Sequence, residues 1–218
     1  MDDGGTTQIV AGAVLDISGT ASKVMAGGRK LENLGTVDWT SGDITGTGGV
    51  TIDNQNMFRM SGDVNLVDGL NGGPQTFFNT GTIIRDTTDG VASIDFSLNN
   101  DGTTTISIGT LELGGFLGMT TGSSHGSFLA SPNTTLQFSG GSPTLEADSL
   151  LDSAGNVIFL SGNAAIAGSY RAEHTKISGG TQQFNSALAT TTTATLMGGE
   201  LAGTGVFQVD QSMDWTDG

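Results

Sequence analysis

The sequence predicts an all-β fold, a single-stranded parallel β-helix (β-solenoid), and three observations carry the prediction. First, a short phrase recurs in the last third: a large apolar residue followed by small ones ending in glycine. It reads Phe159-Leu160-Ser161-Gly162, Ile177-Ser178-Gly179-Gly180, Leu196-Met197-Gly198-Gly199 and Trp215-Thr216-Asp217-Gly218, with anchors 18, 19 and 19 residues apart. Phe138-Ser139-Gly140-Gly141 stands 21 residues before the first of these. A period of this size corresponds to one coil of a solenoid. Second, short runs such as Thr134-Thr135-Leu136-Gln137-Phe138 and Val206-Phe207-Gln208-Val209-Asp210 alternate apolar and polar residues. Period two places alternate side chains on opposite faces of a strand. Third, the 218 residues include 36 glycines, and each would cost about 1 kcal/mol in a helix interior.

A coil of about 20 residues accommodates three strands of about five residues with tight corners. Stacked coils pair each strand with its equivalents at about 4.8 Å spacing. Glycine at a fixed place in each coil supplies positive φ at a corner. The anchors Phe138, Phe159, Ile177, Leu196 and Trp215 then form an internal ladder. The expected array is right-handed, with about 19–21 residues per coil, roughly ten or eleven coils and a length near 50 Å.

Taken in order, Ile17-Ser18-Gly19 is the first instance of the phrase and Trp39-Thr40-Ser41-Gly42 the second. The segment Ser41–Asp53 then aligns without gaps to Gly198–Asp210, sharing glycine, acid, aliphatic and Gly-Thr-Gly. Val37-Asp38-Trp39-Thr40 echoes Met213-Asp214-Trp215-Thr216. One coil grammar at both ends predicts one continuous array over 1–218. Arg59-Met60-Ser61-Gly62 and Phe78-Asn79-Thr80-Gly81 keep approximate register. The spacing drifts over about 86–133, so less regular coils and loops are expected there. Asn99-Asn100-Asp101-Gly102 reads as a tight turn, and Pro132 and Pro143 as corners. A binding surface is expected near residues 68–76 and 114–133, because loops on a rigid scaffold carry function.

The net charge is −15, with only 7 Lys and Arg. Nucleic acid and anionic membrane both demand a positive footprint, so neither is an expected partner. No run reaches transmembrane length. Without cysteine, thiol chemistry, disulfides and Cys-based metal sites are excluded. Met1-Asp2-Asp3-Gly4-Gly5 lacks a secretory signal, and Gly218 falls within a repeat phrase. The chain therefore reads as a segment of a longer protein, with Met1 an added start.

No catalytic, cofactor-binding or metal residue is assigned from the sequence. Asp86, Asp89 and Asp101 offer oxygen ligands of the kind Ca²⁺ takes, but no repeated calcium motif accompanies them, and solvated turns explain them better. His125 and His174 lack the close partners that metal ligation needs. Gly122-Ser123-Ser124-His125-Gly126 matches Gly-x-Ser-x-Gly in letters, without the strand and helix that nucleophile requires. Arg85, Arg171 and Lys176 are the cations nearest to a role in polysaccharide cleavage. Gly46-Thr47-Gly48-Gly49 and Gly203-Thr204-Gly205 lack the lysine and helix of a phosphate loop. Thr103–Thr105 and Thr190–Thr193 do not recur on successive coils, as a flat ice-binding face would demand. Tyr170, Trp39 and Trp215 fit core or coil-edge packing better than a sugar platform.

The phrases Gly-Gly-Glu-Leu-Ala-Gly-Thr-Gly at 198–205 and Asp-Trp-Thr-Ser-Gly at 38–42 resemble the β-strand repeats of large bacterial surface and secreted proteins, including adhesins and autotransporter-passenger-like proteins. The resemblance covers most of 30–62 and 134–218. It implies an extracellular stalk or adhesive segment that meets glycans, host or cell-surface molecules, and adjacent repeats of its parent chain. It carries over no functional residue. The expected function is structural and adhesive rather than enzymatic. The alternatives are a polysaccharide lyase or hydrolase built on a β-helix, and a segment of a viral tail fibre or spike.

Overall fold

A computed structural model describes residues 4–70, 72–114 and 122–218. Among these, every regular element is a strand, and the strands stack as a parallel β-solenoid of about 10 coils of about 21 residues. Each coil contributes one strand to each of three faces. Face one comprises Thr6–Ile9, Lys30–Asn33, Thr51–Asn54, Thr76–Asn79, Ser97–Asn100, Ser123–Ser124, Thr144–Leu145, Ala165–Ile166, Thr181–Phe184 and Glu200–Ala202. Face two begins with Val14–Ile17, Thr36–Trp39, Met57–Met60, Thr82–Arg85, Thr103–Ile106 and Ser127–Ala130. Face three begins with Lys23–Met25, Ile44–Gly46, Asn65–Asp68, Val91–Ile94, Thr110–Leu113 and Thr135–Phe138. In the last four coils, Leu150–Phe159, Ser169–Ile177, Leu188–Met197 and Val206–Asp217 each run through faces two and three. Those two faces therefore form one 16-stranded sheet.

Face one is two five-stranded sheets. They meet between Ser97–Asn100 and Ser123–Ser124, where side chains bridge the rungs. Asn100 N donates to Ser124 Oγ at 3.3 Å, and Ser123 N donates to Asn99 Oδ1 at 3.1 Å.

The predicted ladder is present in register. Phe138 pairs Phe159, which pairs Ile177, then Leu196, then Trp215. The same column runs back along face three through Leu113, Ile94, Leu66 and Ile44 to Lys23. Its rings pack closely: Phe138 and Phe159 stack with centroids 5.1 Å apart and planes 9° apart. Burying a side chain of this size is worth about 1.5–3 kcal/mol.

The early phrases belong to a different column. Ile17, Trp39, Met60 and Arg85 form a ladder on face two. Trp39 is thus fully buried, whereas Trp215, on the last coil, is 66% exposed. The matched segments Ser41–Asp53 and Gly198–Asp210 are likewise one face out of phase. The first covers faces three and one; the second covers faces one and two. The shared grammar is that of a strand and its corner, not of a whole coil. Between 86 and 133 the described strands keep their parallel partners. The spacing drift is taken up at corners: the Ser93–Asn65 bond joins neighbouring coils across 28 residues, the Thr181–Asn163 bond across 18.

One internal column is polar. Asn33, Asn54, Asn79 and Asn100 close successive face-one strands, and all are fully buried. Each Nδ2 donates to the next Oδ1, at 2.7, 2.7 and 2.6 Å. The amides also take up carbonyls of the face-two strand, such as Met57 O and Ser127 O. Buried Gln75 and Gln182 do similar work at the opposite corner, accepting from Val50 N and Ala164 N. These bonds satisfy the buried amides and the backbone groups they join, as burial requires.

Corner glycines set a further constraint. Gly180 has φ +72°, and a Cβ there would lie 1.7 Å from the Gly162 carbonyl oxygen. Gly12 has φ +81° with nothing within 4 Å of its Cβ direction. Gly12→Ala should cost about 1 kcal/mol from the left-handed backbone alone. Gly180→Ala should cost clearly more, about 2–4 kcal/mol, because a neighbouring coil must move as well. Urea midpoints of the two variants test this, and equal losses would contradict the close-approach argument.

Candidate functional site

The corner between faces two and three carries a polar concavity on the outer wall. Register shifts at Ser153/Asn156 and Thr191/Thr193 mark bulges in the long strands, and a bulge bends its strand. The bend leaves a groove of about 220 Å³ whose walls include Arg171, Glu173, Thr190, Thr192 and Asp210. Arg171 clamps Asp152 on the preceding coil through Nε and Nη2, both at 2.8 Å. That bidentate bond raises the guanidinium pKa further. Thr192 Oγ1 donates to Glu173 Oε2 at 3.0 Å.

Below the groove lies a fixed chain of hydroxyls. Tyr170 OH bonds Thr175 Oγ1 at 2.7 Å, Thr175 donates to Thr191 Oγ1 at 2.9 Å, and Thr191 donates to the Thr193 carbonyl at 2.9 Å. Burial pushes the Tyr170 phenol well above its ordinary range, so it stays protonated. Tyr170 packs edge-on against Phe184 at 5.0 Å and is core, as expected. The groove therefore offers carboxylate acceptors, hydroxyls and one paired guanidinium, a set that suits hydrogen bonding to polyol hydroxyls.

The other candidates fall elsewhere. Arg85 is fully buried inside the wall, with its donors turned to backbone and to Asp63, so it cannot face a substrate. Lys176 and His174 point outward on face three, two residues apart on one strand, and His174 Nδ1 lies 2.6 Å from Thr193 Oγ1. Asp86 and Asp89 sit at a corner between faces two and three, Asp101 at a corner between faces one and two. Asp86 is engaged by Arg59 Nε at 2.9 and 3.0 Å. Burial raises its pKa, but the bonds from Arg59 and Thr87 outweigh this, and the net shift is downward. The three carboxylates are thus divided between two corners. Among the described residues no three His, Asp or Glu side chains group as a metal site would need.

Ser124, the serine of the Gly-x-Ser-x-Gly match, is 4% exposed and accepts from Asn100 N. It continues the asparagine column rather than facing solvent. Thr104 and Thr191 point inward and are buried, which breaks both threonine runs as outer faces. The two Gly-Thr-Gly segments are corners on different faces. Of the loops expected to bind, 68–76 crosses from face three to face one, and residues 71 and 115–121 lie outside the described residues.

His125 and Asp148 form an exposed pair, Nδ1 to Oδ1 2.7 Å. The Asp148 hydrogen bond raises the His125 pKa, aided by the charges of Asp148, Asp101 and Glu146, against an opposing effect of burial. His125 should titrate above about 6.5, and Asp148→Asn should bring it back toward that value in an NMR titration. The pair's stabilisation is present below about pH 6.5 and is lost as pH rises through the raised value.

Sequence reasoning did not find the groove. Its signal was the Asp152–Arg171 pair, 19 residues apart and so in phase with the coil. No family model, curated protein or solved structure matches this chain.

Proposed function

We propose that the chain is a structural and adhesive segment of a large bacterial surface or secreted protein, working outside the cell as a stalk that also presents a glycan-binding surface. The observation that carries this reading is the parallel stacking of about ten coils, whose buried asparagines, glutamines and arginine are engaged in holding neighbouring coils together. Such an array resists bending and offers a long, acidic, hydrogen-bonding exterior. The groove beside Arg171, Glu173 and Asp210 is where sugar hydroxyls would be met.

A carbohydrate-cleaving reading draws on the same groove, since Glu173 and Asp210 line it together. It ranks second because Arg171, the groove's cation, is already committed to Asp152. A viral fibre is disfavoured by the outward column of face two. There Val14, Met57 and Val206 are exposed, but Thr36, Thr82, Thr103 and Ser127 interrupt them. That leaves no continuous apolar stripe for a trimer.

The test is binding of the purified chain to a broad glycan array, with and without calcium, with the same samples assayed for released sugars. Saturable binding without product, weakened by Glu173→Ala, supports an adhesive stalk. Product release overturns it in favour of an enzyme. Absence of both removes the adhesive half and leaves a spacer.

A further inference from the structure

Asparagine side chains are engaged almost everywhere in this fold. Asn33, Asn54, Asn79 and Asn100 form the internal column. Asn56, Asn65 and Asn156 donate from Nδ2 to the Leu34 carbonyl, to Asp43 and to the Thr134 carbonyl. Asn99, Asn163 and Asn185 accept from the backbone N–H groups of Ser123, Thr181 and Thr204 on the next coil. Asn133 differs. It is exposed, and among the described residues its amide has no hydrogen-bond partner. It also opens Asn133-Thr134-Thr135, the one place in the sequence where asparagine is followed two residues later by serine or threonine. We infer that Asn133 is an acceptor for N-linked glycosylation, taking an oligosaccharide from a lipid-pyrophosphate donor as the chain is exported.

The local geometry suits that role. Thr134 N donates to the Ser131 carbonyl at 3.2 Å, closing a turn with Pro132 and Asn133 at its centre. Asn133 takes φ +64°, and proline followed by a residue of positive φ is the order of a type II turn. Glycine would serve that backbone with less strain. Among the described residues positive φ is otherwise carried by glycine, with Leu70 the one further exception. The turn therefore accounts for the backbone at Asn133, but not for an idle amide with a hydroxyl two residues on. Pairing of Thr110, Thr135 and Asn156 sets Ile108, Asn133 and Ala154 at one corner of three successive coils. All three are exposed, so no neighbouring coil overhangs the amide, and a bulky oligosaccharide would project into solvent. Thr135 Oγ1 accepts from Asn156 Nδ2 at 3.4 Å, which leaves its own proton for recognition.

In the transfer, Asn133 Nδ2 forms a bond to the anomeric carbon of the first sugar. The bond from that carbon to the donor's pyrophosphate oxygen breaks, and the pyrophosphate leaves with the electron pair. The amide gives up one proton to a base of the transferase, and nothing is oxidised or reduced. A motif of this kind marks a surface loop in a secreted protein. Asn133 lies well inside the array, on the corner between Ser127–Ala130 and Thr135–Phe138, where coils stack on both sides. The inference rests on the reading that the chain works outside the cell, and not on the adhesive part of that reading.

The test is to produce the full chain behind a cleavable export signal in a eukaryotic cell that glycosylates its secreted proteins. A copy without the signal, kept in the cytosol, serves as control. The exported chain, recovered from cells and medium together, should gain the mass of one oligosaccharide, and the cytosolic copy should not. An amidase that cleaves the sugar–asparagine bond should remove the gain and leave aspartate in place of Asn133. Asn133→Gly keeps the turn and should abolish the gain, as should Thr135→Ala, whereas Thr135→Ser should retain it. Urea midpoints of the cytosolic copies check that each variant folds. An exported chain without the added mass overturns the inference, and so does a gain that survives Asn133→Gly or Thr135→Ala. Glycan-array binding is measured on the cytosolic, unmodified chain. Failure there removes the adhesive reading and leaves Asn133 standing as an acceptor, while an unmodified Asn133 leaves the adhesive reading standing.

Discussion

Asn54→Ala should lower the unfolding free energy by about 3–5 kcal/mol, a loss in the range that broken buried networks produce. Asn54 is fully buried. Its Oδ1 accepts from Asn33 at 2.7 Å, and its Nδ2 donates to Asn79 Oδ1 at 2.7 Å and the Thr82 carbonyl at 3.2 Å. Alanine removes the acceptor and the donor together. Asn33 Nδ2 keeps its bond to the Met57 carbonyl at 2.8 Å, so that side of the gap is cushioned. Asn79 Oδ1 loses the Asn54 donor in a place without solvent, and each such orphan costs about 1–3 kcal/mol. A cavity adds to this. Asn54→Leu refills the volume but not the bonds and should not recover the loss. Asn54→Asp sets a carboxylate against the Asn79 carbonyl oxygen and should be worse near neutral pH. Gln55→Ala, one residue on and exposed, should stay within about 0.5 kcal/mol. Urea unfolding with an unchanged m-value is the measurement. An Asn54→Ala loss below about 1 kcal/mol would mean that the column contributes little beyond packing.

The same column shows what was legible in the sequence. Apolar anchors at 18–21-residue spacing gave away the coil, because a large side chain on a strand has one place to go, the core. Phe138 through Leu196 follow that logic, and the register agrees. Trp39 misled because anchor, small residues and glycine also describe the corner after a face-two strand. A phrase that short cannot say which of three corners it occupies. The asparagines were legible in principle. Asn33, Asn54, Asn79 and Asn100 recur at coil spacing, and Gly35, Asn56, Gly81 and Gly102 each stand two residues later. Asparagine, however, reads as turn chemistry first, and turn chemistry alone does not reveal that a side chain points inward. The groove was hidden for another reason: it arises from bulges in strands that cross a corner, and no residue type announces a bulge. Arg85 is the clearest case of context overriding type, an arginine in a ladder position between Met60 and Ile106.

Arg85→Ala should cost about 3–5 kcal/mol, and Arg85→Met distinctly less, about 1–2 kcal/mol. The guanidinium is fully buried. Nη1 donates to the Met60 and Gly62 carbonyls at 3.3 and 2.9 Å, Nη2 to Asp63 and Thr88 at 2.6 and 2.7 Å, and Nε has no partner. Removing one member of a buried ion pair usually strands the other, but the Asp63 side chain is 53% exposed, so water would solvate it. The loss then comes from the two carbonyls and from volume, and methionine restores the volume. Arg85→Lys should not rescue, because one ammonium on a flexible stem cannot reach the same four acceptors. The pH dependence separates the partners. A hydrogen bond from Thr88, the largest effect, together with the bonds and charge of Arg85, holds the Asp63 carboxyl below its ordinary value, against burial that opposes it. A depressed folded-state pKa contributes stability that is present above about pH 4 and lost as pH falls through the depressed value. In Arg85→Met the Thr88 bond remains, so the acid-side loss should shrink without vanishing. In Asp63→Asn the share that Asp63 contributes should be gone, and only that of other depressed carboxylates such as Asp86 should remain. If Arg85→Met removed the whole acid dependence, the arginine and not the threonine would hold the carboxylate. If Asp63→Asn left the dependence intact, the acid sensitivity would have to come from another carboxylate, with Asp86 beside Arg59 the next in line.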